Sequence, residues 1–183
     1  MIGSLSKSAS TISINMSKYN NTQETVSTRF LLISDTHDNA PSESNNMTDA
    51  FREPFGREPL GSADVILHAG DLTMIGGASN YRRIVQWLGD AHAELKIVIA
   101  GNHDIDLDAA YYRIHSGEDP DVAEQDIEDA KAVWTSSEAR DAGIVYLEEG
   151  LRTFRLKNGA KFTVLLSSLL HELYYYYFTD IDK

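Results

Sequence analysis

Three short strings along this chain combine residue types that can hold divalent cations: Asp35-Thr36-His37, Gly70-Asp71 and Gly101-Asn102-His103-Asp104. Carboxylates are hard anionic ligands, imidazole suits borderline cations, and an amide oxygen binds without adding charge. Asp35 and His37 stand two apart, a spacing that in extended backbone turns both side chains to one side, so that they can grip one ion. Asp71 is placed to bridge two ions, and Asn102 to hold the second. Two cations roughly 3.5–4 Å apart can clamp a phosphoryl group and acidify a shared water into a nucleophile. His103, beside a ligand, is placed to give the departing oxygen its proton as general acid. Asp104 is placed to orient that imidazole. Asp-x-His or Gly-Asp alone is commonly an ordinary turn; the signal is all three strings, in order.

Each string directly follows an apolar run. Phe30–Ile33, Asp64–Leu67 and Leu95–Ile99 are near-continuously apolar, the mark of strands covered on both faces. Between the last two, Tyr81, Ile84, Val85 and Leu88 form one stripe of a 3.6-residue period, which predicts a helix. Strand, helix and strand with short connections imply a parallel crossover. Ligands collect beyond the carboxyl ends of such strands, where all three strings fall. A second helix is expected within 121–141, turning Val122, Ile127, Ala130 and Trp134 inward, with Asp121 as its cap and Gly143 as its stop. Ile144–Leu147 reads as a short strand. Leu151–Leu156 and Lys161–Val164 alternate apolar and polar about Asn158-Gly159, a strong hairpin signal.

The remaining stretches carry less. Residues 1–28, rich in Ser, Thr and Asn, are expected to be a disordered leader without periodicity, and 40–60, with three prolines, a long loop. The chain has 183 residues, enough for one ordinary domain, and no cysteine, so disulfides and thiolate ligands are excluded. Its net charge of −12 argues against nucleic-acid binding, which relies on Lys and Arg. Seven of the acids lie within residues 118–129 and read as a solvated helix face. No apolar run is long enough for a membrane span, and cytoplasmic residence is the default expectation. Among other histidines, His68 is expected to make a structural hydrogen bond, His92 to face solvent, and His115 to lie near the cleft at most. No Gly-x-Gly-x-x-Gly follows the first strand, which disfavours a dinucleotide-binding module.

The strings Leu-Leu-Ile-Ser-Asp-Thr-His-Asp (31–38), Val-Ile-Leu-His-Ala-Gly-Asp-Leu-Thr (65–73) and Lys-Ile-Val-Ile-Ala-Gly-Asn-His-Asp (96–104) strongly resemble the calcineurin-like metallophosphoesterases, in particular their metallophosphoesterase-domain-containing branch. The resemblance covers about 29–165. It implies an α/β fold of four layers, αββα, with a parallel β-α-β core and an antiparallel hairpin, here truncated. It also implies a dinuclear centre of Mn, Fe or Zn and a small phosphomonoester or phosphodiester substrate, often a nucleotide. Carried over by position, Asp35 and His37 bind the first metal, Asp71 bridges, Asn102 binds the second, and His103 donates the proton. The family pattern continues with a lone ligand histidine and a Gly-His-x-His string. This chain has only His171 beyond the hairpin, and 166–183 is an atypical tail containing Tyr174–Tyr177. The expectation is therefore a chain with the amino-terminal half of the site and weakened metal binding. A catalytically inactive remnant that holds a metal or a partner is the alternative. An altered or prematurely ended reading frame would account for the tail, and sequencing the transcript tests that.

Overall fold

The computed structural model describes residues 9–17, 25–38, 60, 62–167 and 175–179, with side chains for 26–38, 60 and 62–166. A five-stranded sheet is built from β1 (Ala9–Ser17), β2 (Thr25–Ile33), β3 (Val65–His68), β4 (Leu95–Val98) and β5 (Ile144–Tyr146), in that spatial order. β2 through β5 are parallel, and β1 runs antiparallel to β2. A second, antiparallel sheet contains β6 (Gly150–Arg155), β7 (Lys161–Ser167) and β8 (Tyr175–Thr179). The helices are α1 (Ala78–Gly89), α2 (Ala109–His115), α3 (Pro120–Trp134) and α4 (Ser137–Asp141), with a 3₁₀ turn at Ile105–Leu107. No described helix is long and apolar enough to cross a membrane.

The continuous apolar runs are explained by two cores on opposite faces of the parallel sheet. Leu31, Ile33, Ile66 and Val98 face α1, α3 and α4, meeting Tyr81, Leu88 and Trp134. Their alternates Phe30, Val65, Leu67, Ile97 and Ile99 face the second sheet, meeting Leu156, Phe162, Val164 and Leu166. Phe30 sets its ring edge-on to Phe162 at 5.1 Å, a pairing worth about 1 kcal/mol beyond simple burial. The described residues thus form three layers, helix on sheet on sheet, in line with the expected α/β sandwich. The predicted stripe on α1 is buried as Tyr81, Ile84, Val85 and Leu88, joined by Trp87.

Several details differ from the sequence reading. Residues 9–17, assigned to a disordered leader, run as a strand against β2 from Ala9↔Ile33 to Ser17↔Thr25. The sequence does carry a period of two there, in Ile12, Ile14 and Met16, hidden among Ser and Thr. Helix α3 is capped by Asp119, which accepts from the Asp121 N–H, with Pro120 in the first turn. Proline tolerates that place because its missing donor would be unsatisfied anyway. The shift turns Ala123 inward and leaves Val122 about half exposed. The predicted single helix divides at Thr135, where Ser136 caps α4. Gly143 ends the segment at φ +71° with its N–H on the Arg140 carbonyl, as a left-handed helix stop should.

The hairpin is present with a three-residue loop, Lys157–Gly159. Leu156 N–H donates to the Ala160 carbonyl at 2.9 Å, and Gly159 takes the left-handed place at φ +90°. Lys96 is buried, its Nζ 2.6 Å from the Ala142 carbonyl, and burial lowers its pKa. His171 and most of 40–60 lie outside the described residues.

Candidate metal centre

The parallel hydrogen bonding of β2 with β3 does not stop at the strand ends. Asp35, His37 and Asp38 donate their N–H groups to the carbonyls of Gly70, Asp71 and Leu72 at 3.0–3.1 Å. The first two strings are therefore zipped together by backbone. To follow this path Asp35, His37, Asp38 and Asp71 all take positive φ, between 45° and 60°. Each such residue costs on the order of 1 kcal/mol, and four of them cluster at one place. Asp and His tolerate this region better than bulky residues do.

Asp104 joins the third string to the second. It is buried and accepts from the N–H of Leu72, Thr73 and Gly101 at 2.8–3.0 Å and from the Thr73 hydroxyl at 2.8 Å. Burial pushes its carboxyl up to about 6, against the pull of these four donors. Sequence reasoning assigned Asp104 to orient the imidazole of His103. Instead it pins two loops together, and the Met74 carbonyl takes the ring, 2.9 Å from Nδ1. Four converging donors saturate the carboxylate, which leaves it no lone pair for the imidazole.

The two glycines of these strings are needed where the loops touch. A Cβ on Gly70, already at φ +94°, would come 2.7 Å from the Gly101 Cα. A Cβ on Gly101 would collide with the backbone nitrogen and carboxylate of Asp71. This crossing carries Asp71 Oδ1 to the His103 N–H, at 3.1 Å.

The side chains then converge. Ligand atoms of His37, Asp71 and His103 all lie within 4.8 Å of one another. His37 Nε2 stands 3.9 Å from both Asp35 Oδ1 and Asp71 Oδ2, and the two imidazoles meet edge to face at 4.7 Å. A carbonyl only accepts, so each Nδ1 must be the donor. His37 Nδ1 donates to Thr73 O at 3.3 Å, as His103 Nδ1 does to Met74 O. That fixes His37 in the tautomer whose Nε2 lone pair faces the carboxylates, the form a metal requires. Imidazole and carboxylate oxygen together fit a borderline or hard divalent cation.

Of the residues singled out from sequence, Asp35, His37, Asp71 and His103 stand together. Asn102 follows Gly101 on an exposed turn, one residue before His103. His68 is buried, and its Nε2 donates to Thr36 Oγ1 at 2.9 Å, because the Thr36 hydroxyl proton is committed to the Leu72 carbonyl. His92 is exposed; His115 is exposed as well and packs on Tyr111. Sequence reasoning missed Asp38, whose Oδ2 accepts from Met74 N–H at 2.9 Å, and the Thr73 and Met74 carbonyls that set both imidazoles. Asp38 was visible as the residue completing Asp-Thr-His-Asp. Carbonyls leave no mark in a sequence. A cavity of about 470 Å³ opens beyond Gly101 and Asp104, between Ile99, Lys131, Tyr146 and Leu166.

The sequence model of the family described as calcineurin-like phosphoesterase matches residues 28–176. Metallophosphoesterase domain-containing protein 1 of Homo sapiens is 39% identical over 84 residues, 46% of this chain and 21% of that protein. Its Mus musculus counterpart matches to the same extent. Probable rhamnogalacturonate lyase C of Emericella nidulans is 33% identical over 90 residues, 49% of this chain and 7% of that protein. The chain thus aligns with about a fifth of the length of the two mammalian relatives.

Proposed function

This chain belongs to the calcineurin-like phosphoesterase family, whose sequence model covers residues 28–176, and on that premise we propose that it hydrolyses a phosphoester bond with the help of divalent cations. The observation that carries this reading is the meeting of His37, Asp71 and His103 ligand atoms within 4.8 Å, delivered by three separate strand ends. Asp35, His37 and Asp71 are the proposed ligands of a first ion, and Asp71 with Asn102 those of a second. Bound cations supply the charge that polarises a phosphoryl group and acidifies water, whether Mn, Fe or Zn fills the role.

The chain's own residues provide the rest. The backbone zipper holds Asp35 and Asp71 each with a carboxylate oxygen 3.9 Å from His37 Nε2, so little reorganisation accompanies the reaction. His103 donates a proton from Nε2 to the departing oxygen and is left as the Nδ1–H tautomer, the form the Met74 carbonyl stabilises. The substrate is proposed to be a small phosphomonoester or phosphodiester.

The same geometry favours a second role for His103, as a ligand, since its ring lies within the cluster. One experiment separates the roles: Mn²⁺ affinity by calorimetry together with turnover of an aryl phosphodiester. With His103 as acid, His103→Gln loses about 10²–10⁴-fold in rate and keeps Mn²⁺ affinity within about twofold, whereas Asp71→Asn loses the metal. A His103→Gln variant that loses Mn²⁺ as Asp71→Asn does would assign it as a ligand. A flat trace from the parent chain at every Mn²⁺ concentration would remove the hydrolase and leave the metal-holding remnant.

A further inference from the structure

The cavity of about 470 Å³ opens where the carboxyl ends of β4 and β5 meet the start of α2 and the last turn of α3. That volume falls within the roughly 300–1,000 Å³ of small-molecule sites. Its walls are held by backbone. Ile99 N–H donates to the His68 carbonyl at 3.2 Å and Leu147 N–H to the Val98 carbonyl at 2.9 Å, so both strand extensions stay bonded to the sheet. Asp108 caps α2 by accepting from Tyr111 N–H at 3.0 Å, and Leu107 N–H closes on the Asp104 carbonyl at 3.0 Å. The buried lining residues Ile99, Leu107 and Leu166 make an apolar floor. Tyr146 adds an aromatic wall, backed by the buried ring of Trp134, which stacks on it at 5.6 Å and 24°.

The exposed lining residues carry the charge. Asp108, Glu148 and Glu149 bring three carboxylates and Lys131 one ammonium, which leaves an excess of negative charge around the apolar floor. The fourth acid, Asp104, adds no acceptor, because its lone pairs are taken by Leu72, Thr73 and Gly101. We propose that this cavity binds a small organic cation, an ammonium group carried on an apolar or aromatic body. The hydrocarbon gains by leaving water for the floor and the Tyr146 wall, and the ammonium keeps its donors engaged among the rim carboxylates. An anion of the same shape meets the like charge of Glu148 and Glu149, and a neutral polar molecule gains neither contact. Because the rim is solvated, charge sets the choice of ligand and the floor sets most of the affinity. Neither a metal ion nor turnover enters this recognition, which stands apart from the hydrolase reading.

The test uses the full chain and three probes, 2-phenylethylammonium, 3-phenylpropanoate and ethylammonium, with binding measured by calorimetry. The parent should bind 2-phenylethylammonium about tenfold more tightly than 3-phenylpropanoate, which the rim repels, and about tenfold more tightly than ethylammonium, which has no ring to bury. Glu148→Gln combined with Glu149→Gln leaves Asp108 and Lys131 to offset one another, and should bring the phenyl cation and anion to within about twofold. Both glutamates are exposed, so this variant should fold as the parent does, which far-ultraviolet circular dichroism checks. Ala109→Phe fills the cavity from the first residue of α2 and should weaken 2-phenylethylammonium about tenfold or more, which locates the site. Equal or tighter binding of 3-phenylpropanoate by the parent would overturn the proposal. So would a cation preference that survives the glutamine pair, affinity unchanged by Ala109→Phe, or no binding of 2-phenylethylammonium at all.

Discussion

His68 and Asp104 show how single buried groups near the centre set opposite pH dependences. Burial, and then the charge of His37, lowers the pKa of His68 from 6.5 to about 3. Its neutral form therefore contributes stability that is complete above pH 6.5 and is lost as pH falls toward 3. At about 1.4 kcal/mol per unit this amounts to roughly 5 kcal/mol at most. Asp104 runs the other way. Its carboxyl is raised from 3.8 to about 6, so the folded chain takes up that proton first and gains stability as pH falls through the same range. The expected result is a urea midpoint that falls on acidification below pH 6.5 in the parent chain. His68→Gln should abolish the fall and reveal the weaker, opposite trend of Asp104. A variant with an unchanged pH profile would show that His68 is not the group titrating. The candidate ligands Asp35, His37 and Asp71 were legible from sequence because metal-competent types stand directly after successive apolar runs. The role of Asp104 was not, because adjacency to His103 in the chain suggested a contact that the fold spends on backbone donors of another loop.

At the level of elements, the site is made by loops that continue the sheet's hydrogen bonding past the strand ends. Strand positions were readable because a layer with a core on each face needs unbroken apolar runs such as Phe30–Ile33. The antiparallel β1 escaped notice because its alternation is carried by only Ile12, Ile14 and Met16 among polar neighbours. Boundaries of α3 shifted for a similar local reason, since Pro120 moves the cap back to Asp119. The close crossing of the Gly70 and Gly101 loops leads to a sharper prediction. Gly101→Ala should displace Asp71, lowering Mn²⁺ affinity by an order of magnitude or more, and it should destabilise the chain by about 1–3 kcal/mol, as overpacking in a tight site does. The same substitution at Gly117, where a Cβ meets nothing within 4 Å but φ is +75°, should cost about 1 kcal/mol and leave metal binding intact. Calorimetry with Mn²⁺ and urea denaturation of the two variants distinguish geometric obstruction from simple backbone strain.

Across the whole molecule, one central layer serves both cores. The four residues of β3 divide evenly, Ile66 and His68 toward the helices, Val65 and Leu67 toward the second sheet, and all four are fully buried. β3 is also flanked on both sides by parallel neighbours, β2 and β4. No opening confined to one face can bring its amides to solvent, so their deuterium uptake must await the global transition. Val65, Ile66, Leu67 and His68 should be the slowest-exchanging amides among the described residues, sharing one free energy equal to that of full denaturation. The segment bearing the proposed ligand Asp71 starts at Gly70, two positions after this strand ends. That carboxylate is thereby anchored to the part of the chain that would be last to let go.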